Sequence, residues 1–106
     1  MLSPRDRARY ISETVGRIPL LAETHFTLLT QVMEDEFDLR MTARRRDTGL
    51  ATIEAGLSGI YASLGLQRSP LSGEEKLDIA ACAYRLHQRD FQGERYFKKG
   101  YSQAKA

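Results

Sequence analysis

A chain of 106 residues, 42% hydrophobic and 28% charged, is sized for one domain with one modest core and is too apolar for a disordered segment. Its formal net charge of +2 permits a nucleic-acid partner without pointing to one, because distribution of charge matters more than its sum. Cys82 is the only cysteine, which excludes an intramolecular disulfide and a cysteine-built zinc site. The charged opening from Met1 to Arg7 lacks the apolar stretch of a signal peptide. No run approaches the roughly 18 apolar residues that a bilayer span requires. A soluble, cytoplasmic protein with no membrane partner is therefore expected, with residues 1–106 as a single helical domain.

Prolines stand only at positions 4, 19 and 70 and divide the chain into helical blocks. Ser3 offers an N-cap to a first helix, with Pro4 in the first turn and Asp6 three residues on. Ala8, Ile11, Val15 and Ile18 follow the spacing of one apolar face, and Gly16 and Pro19 predict a break there. In the second block Ala22, Phe26, Leu29, Met33, Phe37 and Met41 recur every three or four residues, which predicts a long helix over about 20–46. Asp47-Thr48-Gly49 then supplies a turn and a fresh cap.

In the third block Leu50, Ile53, Leu57, Ile60 or Tyr61, and Leu64 mark an apolar face. Beside it runs a stripe of small residues, Ala51, Ala55, Gly59 and Ala62, with Gly56 and Ser58 nearby. Glycine costs a helix interior about 1 kcal/mol relative to alanine, so this stripe predicts a close helix–helix approach. Gly65 fits a left-handed C-terminal cap, with Leu66 folding back. Ser72-Gly73-Glu74-Glu75 forms a capping box for a fourth helix bearing Leu77, Ala80, Ala81, Tyr84, Gln88 and Phe91 on one side. A last helical segment holds Tyr96, Phe97 and Tyr101, weakened by Gly93 and Gly100. No stretch shows sustained strand alternation. The expected fold is all-α: a compact bundle of four to five helices, with the long second helix packed antiparallel on a third over about 50–64.

Catalytic and metal chemistry find little support. His25 and His87 lie in different helices without the paired spacing of a metal site; His25 reads as a packing residue and His87 as a surface one. Cys82, between Ala81 and Ala83, reads as a buried structural thiol without an activating base. The acids Glu34-Asp35-Glu36-Phe37-Asp38 read as a solvated helix face, since neighbouring helical positions diverge. Gly56-x-x-Gly59 lies inside a helix and is no phosphate cradle. A non-enzymatic protein with no cofactor and no bound metal is expected.

Two basic segments are candidate recognition surfaces. Arg40 with Arg44-Arg45-Arg46 closes the second block, where cations complement the negative helix end and Glu36 is spaced to pair with Arg40; the same cluster is a candidate anion or nucleic-acid site. The segment from Arg85 to Ala106 carries six Lys or Arg against two acids. Its cations interleave with Phe91, Tyr96, Phe97 and Tyr101, a composition suited both to base stacking and to protein anchoring.

The stretch from Leu77 to Ala104 resembles one helical pair of a tetratricopeptide repeat. Tyr84-Arg85-Leu86, Asp90-Phe91 and Tyr96-Phe97-Lys98-Lys99-Gly100 are similar to its aromatic and turn positions, although the segment between Phe91 and Tyr96 is one residue shorter than that pattern prefers. The likeness covers about a quarter of the chain, with no second copy at the right period upstream, and it implies protein binding. The leading expectation is a protein-interaction domain: a small regulator, adaptor or chaperone binding a partner protein through a helical face, with Arg44, Arg45, Arg46, Arg95, Tyr96, Lys98, Lys99 and Tyr101 as contact residues. Self-association through the long second helix belongs to this reading. The alternative is a nucleic-acid-binding regulator using Arg44 to Arg46 and the basic C-terminal segment.

Overall fold

In the computed structural model the backbone is described for residues 2–105 and the side chains for residues 2–89. Five helices follow one another: α1 (Pro4–Val15), α2 (Glu23–Glu34), α3 (Leu39–Arg45), α4 (Leu50–Ser63) and α5 (Gly73–Lys105), with a 3₁₀ turn at Ile18–Leu20 between α1 and α2. No strand occurs among the described residues. The protein is an all-α bundle.

Local chemistry sets most of the boundaries. Ser3 Oγ accepts from the Asp6 amide at 3.1 Å and opens α1. Ser72 and Glu75 exchange two bonds, the Glu75 amide donating to Ser72 Oγ at 3.2 Å and the Ser72 amide to Glu75 Oε1 at 2.9 Å. That is the capping box read from the sequence. At the end of α4, Gly65 adopts φ 75° while the amides of Gly65 and Leu66 return to Ala62 and Tyr61 carbonyls. This double return is a Schellman motif, and Leu66 is buried beneath it.

The helix expected over 20–46 is interrupted. α2 ends at Glu34 and α3 begins at Leu39, so the apolar period that ran through both is carried by two helices. The cause is the acidic run. Asp35 is fully buried by its side chain and turns onto α3, where its carboxylate accepts from Thr42 Oγ1 at 2.7 Å and pairs with Arg45. Asp38 caps α3 by accepting from the Met41 amide at 3.1 Å. Between them Glu36 and Phe37 take φ of 55° and 66°, and their amides return to Met33 and Val32 as a second Schellman closure. These acids are therefore turn and cap residues, not one solvated face. With the break, a continuous long helix is no longer present to pair with its copy.

The chain also departs from expectation at its far end. The fourth helix and the last segment are one helix, α5, so the turn required by a tetratricopeptide pair is missing. Gly93 and Gly100 lower helix propensity but keep their N–H donors; only proline removes a rung of the ladder, and none follows Pro70.

α1 packs along α5, while α4 receives both α2 and α3. His25 lies opposite Gly59 and Leu28 opposite Gly56, so α2 runs antiparallel to α4. The shared core is built from Ile18, Leu29, Val32, Ile53, Ile60, Leu64 and Ile79, all nearly inaccessible. Tyr84 ties α5 to α2: its ring meets Phe26 edge-on at 5.4 Å, and its hydroxyl lies 3.0 Å from Thr30 Oγ1.

Candidate functional site

α3 packs on α4, and the first turns of α5 stand beside the pair. Between them lies an open cleft of ≈ 640 Å³, lined by Phe37, Leu39, Glu54, Leu57, Tyr61, Gly73, Glu74, Leu77 and Asp78. Its floor is apolar: Leu57 and Tyr61 from one face of α4, Leu39 from the start of α3, and Leu77 from α5. Phe37 stands at the edge, 39% exposed, because the turn after α2 carries it in a left-handed conformation. That conformation costs a non-glycine residue roughly 1–2 kcal/mol, and two successive residues adopt it here. Strain of this kind persists only where the surrounding structure holds it, and it concentrates at working surfaces.

The ionisable groups among the lining residues are three carboxylates and the Tyr61 phenol, with no cation. Asp78 is engaged by Arg7, whose guanidinium donates to both carboxylate oxygens at 2.8 and 3.1 Å. Arg7 thereby holds the Asp78 carboxyl below its ordinary range and ties α1 to the cleft wall. Glu54 and Glu74 are exposed and form no ion pair among the described residues. Burial pushes the Tyr61 phenol up to about 12, so at neutral pH it is an uncharged part of the floor. Lys76 and Arg85 lie over the rings of Tyr61 and Phe37, at 6.0 and 5.9 Å from the centroids, at the reach of a cation–π contact. Glu75, one turn into α5, is held below the usual carboxylate range by the Ser72 amide, which fixes the helix end that forms one wall.

The residues singled out from the sequence distribute differently. Of the arginine cluster, Arg45 pairs with buried Asp35 and Arg46 donates to Gln31 Oε1 at 2.9 Å. Arg44 lies with the acids of the α2–α3 turn around a separate surface depression. The expected Glu36–Arg40 ion pair does not form among the described residues, since Glu36 lies in the turn. Arg95, Tyr96, Lys98, Lys99 and Tyr101 belong to the far part of α5, where side chains lie outside the described residues, as do those of Phe91 and Phe97.

His25 is half-buried against Gly59, as a packing residue would be, and its Nδ1 has no hydrogen-bond partner. His87, read as a surface residue, is half-buried instead, with its Nδ1 equally unpartnered. Cys82 is half-buried; it accepts from Arg7 Nη2 at 3.1 Å and lies 3.6 Å from Asp78 Oδ1. Burial raises its thiol pKa, with Asp78 adding to the effect, so the protonated and less nucleophilic form is favoured. The small-residue stripe divides. Gly56 and Gly59 face α2 closely, while Ala51, Ala55 and Ala62 are exposed.

Sequence reasoning missed the cleft. Leu57 and Tyr61 are buried core residues as their spacing predicts, yet both also line the cleft with Leu77, and Phe37 read as part of a stripe that the turn interrupts. Comparison with family models, curated proteins and solved structures returns no match for this chain. No group of three or more metal-ligating side chains occurs among the described residues, and no described helix is long and apolar enough to cross a membrane.

Proposed function

We propose that the chain is a non-enzymatic protein-interaction domain, a small regulator, adaptor or chaperone, that receives an amphipathic helix in the cleft between α3, α4 and α5. The observation that carries this reading is the cleft itself: a concavity lined by the apolar side chains of Leu39, Leu57, Tyr61 and Leu77, edged by a phenylalanine held in a strained turn and by Glu54 and Glu74, which form no ion pair among the described residues. Helix-in-groove recognition uses apolar anchors one turn apart on the incoming segment. The rim selects a segment whose flanking residues are basic, because like charges placed opposite Glu54 and Glu74 repel. The same features support the adaptor reading over the nucleic-acid alternative, for which Arg45 and Arg46 already direct donors at Asp35 and Gln31.

The test is a titration of isotope-labelled protein with a designed helical peptide bearing leucine and phenylalanine on one face and lysine on the flanks. Saturable shifts centred on Phe37, Leu57, Tyr61 and Leu77 are expected, with an acidic counterpart producing none. Equal response to both peptides, or shifts confined to Arg44 and its neighbours, would overturn the proposal.

A further inference from the structure

We infer that the occupant of the cleft is a second copy of this chain, through the basic and aromatic part of its α5. The inference rests on the helix-in-groove reading and names the partner. Two observations carry it. The first is charge complementarity. The cleft presents Glu54 and Glu74 above an apolar floor, and the sequence from Arg95 to Tyr101 offers the reciprocal pattern, with Phe97 and Tyr101 four residues apart and Arg95, Lys98 and Lys99 around them. Spacing of four places residues on one helical face, so two aromatic anchors and three cations fall within two turns.

The second observation is distance. α5 forms one wall of its own cleft with Gly73, Glu74 and Leu77 and continues unbroken to Lys105. At the α-helical rise, Phe97 lies about 30 Å along the axis from Leu77. A straight helix cannot return its far end to its own beginning, so the complement comes from another molecule. Two α5 helices laid antiparallel satisfy both clefts at once, since the separation from Leu77 to Phe97 is the same in each copy. Such a pair closes at two and leaves no open end for further growth.

Sedimentation analysis of the full chain tests this. The parent is expected to dimerise, less tightly as salt rises. Glu54→Lys with Glu74→Lys, and separately Lys98→Glu with Lys99→Glu, each raise the dimer dissociation constant by about tenfold or more, as like charges meet across the contact. Mixing those two variants restores both cleft contacts in the heterodimer, since each cleft then meets a tail of opposite charge, and a chain carrying all four changes dimerises again. Glu13→Lys with Glu23→Lys alters net charge equally at two exposed sites of α1 and α2 and leaves dimerisation unchanged. A dimer indifferent to the cleft variants overturns the inference. A monomeric parent that still binds the designed basic peptide overturns it too while leaving the proposed function standing. A monomer that binds no peptide removes both.

Discussion

The imidazole of His25 fills the space that a side chain at Gly59 would need: its Cε1 lies 2.9 Å from where a Cβ would stand. One turn away, Leu28 presses in the same way on Gly56. α2 and α4 thus approach through two glycines, and the exposed alanines beside them play no part in the contact. Gly56→Leu should cost about 1–3 kcal/mol through overpacking, since Leu28 is itself buried and has nowhere to move. Ala55→Leu should stay within about 0.5 kcal/mol of the parent. Thermal melts of the two variants side by side check this; an equal loss in both would place Ala55 in the interface.

Acid should weaken the fold through Asp35. Its carboxyl is held below the ordinary value first by the Thr42 hydroxyl and then by Arg45, against the opposing effect of burial. A depressed carboxyl contributes stability that is complete above the unfolded pKa and is lost as pH falls through the folded one. The melting temperature should therefore hold from neutrality to about pH 4 and drop below it. Asp35→Asn should melt several degrees lower at pH 7, and its deficit should shrink as pH falls. A constant deficit down to pH 2 would show that the charge contributes nothing.

The left-handed turn predicts a separation between stability and binding. Glu36→Asn places a residue that tolerates positive φ at that position and should raise the melting temperature by about 5 °C, the equivalent of roughly 1 kcal/mol in a domain of this size. Phe37→Gly relieves the neighbouring strain and deletes the ring at the cleft edge. It should melt within a few degrees of the parent yet bind the basic peptide about tenfold more weakly, as loss of an aromatic anchor does. Parent-like affinity would show that Phe37 is no anchor.

Burial should delay ionisation of the Tyr61 phenol to about pH 12. An ultraviolet pH titration should contain a component near pH 12 that Tyr61→Phe removes. Because the folded pKa of this acid is raised, its contribution is present at neutrality and declines as pH climbs past the ordinary phenol value near 10. The variant should accordingly lose less stability between about pH 10 and pH 12 than the parent. A titration curve unchanged by the substitution would mean that the ring is hydrated in the cleft.

Much of the architecture was legible in residue spacing because caps and apolar faces are local codes. Ser3, Gly65 and the Ser72–Glu75 box each bond within their own turn, and Ile53, Leu57, Ile60 and Leu64 declare the inner face of α4. The α2–α3 break was hidden because Asp35 acts on Thr42 and Arg45, partners whose relevance exists only once the chain has turned. Asp47 shows the same difficulty: at φ 53° it closes α3 in a place where glycine would have announced the cap. The cleft was illegible for a different reason. A helix position says which side is apolar, and only the packed bundle says whether another element covers it.

The Arg7–Asp78 pairing joins residues 71 positions apart, whereas α2, α3 and α4 meet neighbours close to them in sequence. During synthesis α1 leaves the ribosome before the other four helices, yet its companion surface is made after α4 is complete. The middle three helices can gather while α1 waits, because short loops close at little entropic cost and long ones reward the chain late. Until α5 is made, Ile11 and Val15 have no α5 surface to cover them, and the charged residues Arg5, Asp6, Arg7 and Arg9 give that helix a polar face meanwhile.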